Sequence, residues 1–164
     1  MPAGVVGSRL VRMSDEPTHP PALIAYDGSD SAGAAIAEAG RQLRTPRPAR
    51  VLTVWTPLED IPFWGPAMTR FPDDLLQAAR REAEKLAAEG SELANAAGFE
   101  AGPLVTSGEP VWRSVIDAAD SIGAGVIVLG SHGRGTIGSA VMGSVATAVA
   151  HHATIPVLIC RRRG

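Results

Sequence analysis

The chain alternates between short, continuous apolar runs and longer stretches with an apolar residue every three or four positions. The first pattern marks strands buried on both faces, the second marks amphipathic helices. Ala22-Leu23-Ile24-Ala25-Tyr26 predicts a first strand, with Asp27-Gly28-Ser29 as the turn at its C-terminal end. Residues 30–44 are Ala-rich, carry Ile36 and Leu43, and predict a helix that Thr45-Pro46 ends. Val51-Leu52-Thr53-Val54-Trp55 predicts a second strand. Across residues 72–97, Leu75, Ala79, Ala83, Leu86, Gly90, Leu93 and Ala97 form one stripe of a long helix. Asp73 and Asp74 suit its first turn and Gly98 its end. A third strand is expected within 100–106, then a turn at Gly108-Glu109-Pro110. The next helix, with Pro110 as its first position, places Val111, Val115, Ala118, Ala119 and Ile122 on one face. Val126–Leu129 as a strand, a helix over about 143–152 and a last strand at Val157–Cys160 complete the pattern.

Strands that alternate with helices predict an α/β fold, an open five-stranded parallel sheet with helices on both faces. No internal repeat is visible, so residues 21–161 read as a single domain. Residues 1–20 are rich in Pro, Gly, Ser and charge and are expected to form a disordered leader, with Met13 as a second candidate start. The loop 56–71 carries Pro57, Pro62 and Pro66, and its Phe63-Trp64 pair suits a ligand cover, a partner contact or core packing.

Composition narrows the function. With 164 residues and a net charge of −2, no global field draws the chain to nucleic acid or acidic lipid. No apolar run is long enough for a membrane span, and the start lacks a signal-peptide core, so the cytoplasm is the default location. Cys160 is the one cysteine, which excludes an intrachain disulfide and suggests a small buried hydrophobe.

The chemistry concentrates after the fourth strand. Gly130, Gly133, Gly135, Gly138 and Gly143 make five glycines in fourteen residues, and Gly143-Ser144 opens a helix. Glycine lets main-chain N–H groups approach an anion, and a helix start offers unpaired N–H groups at the positive end of its dipole. No Asp or Glu occurs in residues 121–164. Gly133–Gly138 satisfies G-x-G-x-x-G, but the acid a dinucleotide site needs about twenty residues on is missing. A Walker P-loop is excluded because the one lysine, Lys85, is followed by Leu86. The bland alternative is a flexible connector, which one or two glycines would serve. Four donors to phosphate at roughly 1.5–3 kcal/mol each, less association costs, give a micromolar complex near −8 kcal/mol.

The spacing Gly130-x2-Gly133-x9-Gly143-Ser144 resembles the ATP-binding signature of the universal stress protein family. Tyr26-Asp27-Gly28-Ser29, Val128–Gly135 and Ile155-Pro156-Val157-Leu158 resemble further stretches of that family, so the likeness covers about residues 20–160. It implies a Rossmann-like, adenine nucleotide α-hydrolase-like fold and ATP as ligand, with Mg²⁺ as its companion. In the ATP-binding branch the acid after the first strand meets the ribose, or the phosphate and metal, which falls on Asp27, beside Tyr26. A main-chain contact to adenine falls on Val54. Gly130, Ser131, Gly133 and Arg134 flank the ribose and phosphates, and Gly143, Ser144 and Val145 hold the phosphates. All signature positions are present, unlike in the non-binding branch. The family also pairs its last strand across a two-fold axis, which implies a homodimer through Val157–Cys160. That strand would be an apolar sheet edge, and such an edge needs cover.

Other residues read more plainly. Asp27 also suits a turn or helix cap. His132 lacks an orienting acid nearby in sequence and reads as surface or loop packing. His151-His152 are adjacent and face different directions, which disfavours chelation. The expected function is nucleotide binding in a stress-response or signalling dimer. The alternatives are a slow Mg²⁺-dependent ATPase or adenylate kinase-like enzyme, for which Asp27 and Arg134 are the visible candidates, and a nucleotide-free scaffold dimer.

Overall fold

The computed structural model describes residues 19–57, 73–133 and 142–161. The expected leader up to residue 18, Phe63-Trp64, Arg134, Gly135, Gly138 and the Arg162-Arg163 end of the tail lie outside the described residues.

Nine elements follow one another: β1 (Ala22–Ala25), α1 (Asp30–Gln42), β2 (Pro48–Trp55), α2 (Asp73–Ala96), β3 (Glu100–Ser107), α3 (Val111–Ser121), β4 (Val126–Gly130), α4 (Ser144–His152) and β5 (Val157–Cys160). The five strands form one parallel sheet in the order β3-β2-β1-β4-β5. The middle strands explain their own apolar runs. Leu23 and Ile24 are inaccessible to solvent, and Val126 to Leu129 are all buried. Successive side chains of a strand point to opposite faces. Ile24, Val51 and Val128 pack with Ala35, Ile36, Ala39 and Ala94, under α1 and α2. Leu23, Leu52, Ile127 and Leu129 pack with Val115, Ala119, Ala146 and Val149, under α3 and α4. Both faces are therefore covered.

Local chemistry sets the helix ends. The Ser29 hydroxyl caps α1 by accepting the Ala32 N–H at 3.2 Å, and the chain turns extended at Leu43 before Thr45-Pro46. Gly98 ends α2 with φ of +98°, a conformation glycine adopts freely, while the Phe99 N–H returns to the Ala94 carbonyl. At the far end of α4, the His152 ring stacks on Trp112 of α3 at 4.5 Å between centroids, and His151 meets His152 edge-on. Cys160 is buried as expected, and burial pushes its thiol above the ordinary range.

Three expectations shift. Pro110 is the extended N-cap of α3 and not its first helical residue. Strand β2 begins at Pro48, ahead of the apolar run at Val51, because its pairing with β3 extends from Pro48↔Glu100 to Trp55↔Ser107. Ladder pairing, not hydrophobicity, sets that boundary. The stripe of α2 also turns. Ala83, Ala87, Gly90, Ser91 and Ala94 are buried, whereas Leu75 and Leu93 are 46% and 43% exposed. Small residues allow the helix to sit close to the sheet, so the large leucines fall at its margin. Among the described residues no helix is long and apolar enough to cross a membrane.

The close approach is testable at Gly90. Gly to Ala inside a helix ordinarily stabilises by about 1 kcal/mol. Here the added methyl would stand 2.7 Å from Tyr26 Cδ1 and 2.8 Å from Val51 Cγ1. Overpacking of that kind costs about 1–3 kcal/mol and outweighs the helical gain. Gly90→Ala is expected to lower the urea midpoint. An unchanged or higher midpoint would contradict the packing described.

Candidate functional site

Strands β1 and β4 are neighbours, but their connections leave for opposite faces: β1 leads to α1, and β4 leads to α4. Parallel sheets hold ligands where the chain diverges in this way, beyond the C-terminal strand ends. A cavity of about 350 Å³ lies there. Ala25, Leu52, Val54, Val111, Val115 and Leu129 supply the apolar part of its lining. Its polar part comes from the β1–α1 turn, the end of β4 and the start of α4.

Each polar segment is held by its own backbone bonds. The Asp27 carboxylate accepts the Ser29 N–H at 3.0 Å, so Asp27 does shape the turn. Its other oxygen faces the glycine loop, 3.0 Å from where a Cβ on Gly133 would stand. Past β4, the Ser131 N–H donates to the Cys160 carbonyl at 2.9 Å, and the Ser131 carbonyl accepts the Gly143 N–H at 2.8 Å. The second bond closes the excursion 132–142 at its neck and brings the two halves of the glycine signature together. Helix α4 starts at this neck with Gly143 in the cap position and no side-chain cap. Its first-turn N–H groups are thus left for another acceptor.

Nine of the ten residues proposed from sequence line this one cavity: Tyr26, Asp27 and Val54, then Gly130, Ser131 and Gly133, then Gly143, Ser144 and Val145. The tenth, Arg134, lies outside the described residues. Tyr26 differs from the rest. Its ring packs against Gly90 and its hydroxyl donates to Glu89 at 2.6 Å, so its side chain serves α2. His132, read as surface or loop packing, is half-buried in the loop after β4, lines the cavity, and has its Nδ1 2.9 Å from the Ser131 hydroxyl. Val111 and Val115 were read only as a core face of α3, yet both reach the cavity. The available signal was their place just after β3, where a helix start faces the same strand ends. Among the described residues no group of three or more His, Cys, Asp or Glu side chains surrounds a metal position.

A parallel α/β unit with a glycine-rich loop and a helix start at its switch point belongs to the doubly wound class of folds. The model of the universal stress protein family matches residues 20–161. A universal stress protein from Thermus aquaticus is 35% identical over 143 residues, covering 85% of this chain and 96% of the relative. A relative from Mycobacterium tuberculosis is 29% identical across 90% of this chain but only 47% of its own length. Among solved structures, UspA from Lactobacillus plantarum aligns with a TM-score of 0.68 at 24% identity, over 87% of this chain and 98% of that one, a likeness of fold. A universal stress protein in complex with cAMP aligns with a TM-score of 0.57 at 26% identity, over 87% of this chain and 97% of that one. The chain belongs to the universal stress protein family.

The glycines divide by role. A Cβ on Gly130 would stand 2.6–2.8 Å from Ser31 Oγ, C and O, two of which are backbone atoms that no rotamer can move. Among the described residues, a Cβ on Gly133 would meet Asp27 Oδ2 alone, at 3.0 Å. Gly130→Ala is therefore expected to lose about 1–3 kcal/mol of stability, and Gly133→Ala distinctly less. Urea unfolding of both variants checks this order, and the reverse order would contradict it.

Proposed function

We propose that this chain binds an adenine nucleotide, ATP in the first instance, and acts as a nucleotide-dependent dimer in stress response or signalling. The observation that carries the reading is the convergence of nine signature positions on one cavity at the β1/β4 switch point. Family membership and the relative in complex with cAMP support it. The lining fits such a ligand. Its apolar part suits a base, and the uncapped start of α4 with the glycines of the β4 loop suits phosphates. Asp27 and Val54 both line the cavity, which supports Asp27 as the contact to ribose or phosphate and the Val54 backbone as the contact to the base. A Mg²⁺ ion would arrive with the nucleotide, held chiefly by phosphate oxygens and water.

Binding is favoured over turnover. Phosphoryl transfer needs a positioned nucleophile and neutralised charge. One oxygen of Asp27, the acid in the lining, is already committed to its turn. A Mg²⁺-dependent ADP release assay separates the slow-ATPase alternative from binding alone.

The dimer is proposed through β5. The sheet has two edges, β3 and β5. Strand β3 carries Pro103, which lacks an N–H and blunts an edge. Strand β5 is Val157-Leu158-Ile159-Cys160, with no proline or charge, and its first three residues are only partly buried. A cytoplasmic location accords with this reading.

Calorimetric titration with ATP is expected to give saturable, roughly micromolar binding. Gly143→Val should abolish most of it, since even a Cβ there would stand 3.2 Å from the Ser131 carbonyl oxygen. Absence of heat or competition at millimolar ATP would remove the proposal. Light scattering at tens of micromolar should return the dimer mass, and a monomer would argue against pairing through β5.

A further inference from the structure

Strand β3 is one edge of the sheet, and its main-chain groups divide by parity. The Glu100 N–H donates to the Arg47 carbonyl at 2.9 Å, and the Gly108 N–H to the Trp55 carbonyl at 3.3 Å. In a parallel ladder, alternate residues turn their N–H and C=O to the same neighbour. The even positions from 100 to 108 therefore serve β2, and Ala101, Pro103, Val105 and Ser107 turn outward. An outward row of this kind is a template for an added strand.

Two of the four outward positions are closed. Asn95, in the last turn of α2, accepts the Ala101 N–H on Oδ1 at 2.8 Å and donates Nδ2 to the Ala101 carbonyl at 3.2 Å. Its amide thus offers Ala101 the donor and acceptor that a neighbouring strand would offer. The turn after α2 sets this approach, with the Gly98 N–H returned to the Asn95 carbonyl at 3.0 Å. Two positions along, Pro103 has no N–H to give. Val105 and Ser107 are left as a short stretch at the end of the strand.

Strand β5 is the opposite case. The Ile127 N–H donates to the Pro156 carbonyl and the Ser131 N–H to the Cys160 carbonyl, so positions 156, 158 and 160 serve β4. Val157 and Ile159 turn outward with both main-chain groups intact, and β4 is the one strand beside them among the described residues.

We propose that Asn95 and Pro103 act together as a guard that closes the β3 edge to strand addition, so that a second copy of this chain adds through β5 alone. The second half of the inference rests on the β5 dimer. The closure of β3 is independent of that dimer and of any ligand.

The test compares the full-length wild type, Asn95→Ala, Pro103→Val and the double variant by amide exchange and by light scattering at tens of micromolar. The Ala101 amide should exchange about threefold to tenfold more slowly in the wild type than in Asn95→Ala, the effect of one hydrogen bond. Each single variant should keep the wild-type mass, since one half of the guard remains. The double variant should form larger assemblies than the wild type, with the Val105 amide newly protected. Adding Val105→Pro to the double variant should restore the wild-type mass, because that N–H points outward and makes no ladder bond. Equal exchange of Ala101 in wild type and Asn95→Ala would overturn the guard, and this comparison decides even if the double variant fails to fold. A folded double variant of wild-type mass, or association that leaves Val105 unprotected, would overturn it as well. A wild type that is monomeric, with a double variant that associates through Val105, would remove the β5 dimer and support the guard.

Discussion

The hydrogen-bonded pairing of β1 with β4 is the constraint on which the rest depends. Their register runs Ala22↔Val126, Leu23↔Ile127 and Ile24↔Val128, so the two strands end at nearly the same level. The turn at Asp27 and the loop at Gly130 then emerge side by side although they are far apart in sequence. The connections leave toward opposite faces, and neither helix crosses the gap between them. A cavity at that point follows from topology before any side chain is considered.

Short-range chemistry shapes the gap. One backbone bond, Gly143 N–H to Ser131 carbonyl, draws the return of the glycine excursion against its departure. It places the uncapped start of α4 next to the end of β4. Gly130 lacks a Cβ because the backbone of Ser31 occupies that space. The first glycine of the signature therefore answers to the packing of α1 as well as to a ligand. The same economy holds at Gly90, where a missing side chain brings α2 against Tyr26, next to the turn that carries Asp27.

Much of this was legible in the residues. Unbroken apolar runs revealed β1 and β4, because both lie inside the sheet with no solvent-facing side. The signature spacing and the Asp27 turn pointed to one cavity, because glycines and a helix start carry a chemical meaning independent of distance. Other features depend on partners that a linear pattern does not display. The start of β2 comes from its ladder with β3, where Pro48 and Ala49 are not part of an apolar run. Leu93 looked like core, yet a helix seated on Ala87, Gly90 and Ala94 turns it outward. His132 seemed to lack an orienting group because no acid lies near it in sequence. The hydroxyl of its own neighbour, Ser131, lies 2.9 Å from its Nδ1.

The most direct test of the central claim is amide hydrogen exchange with and without ATP. If the cavity holds phosphate, exchange should slow at residues 130–133 and 143–146, while the edge strand β3 stays as it was. Unchanged exchange at the start of α4 under saturating ATP, or protection confined to another part of the sheet, would contradict the account.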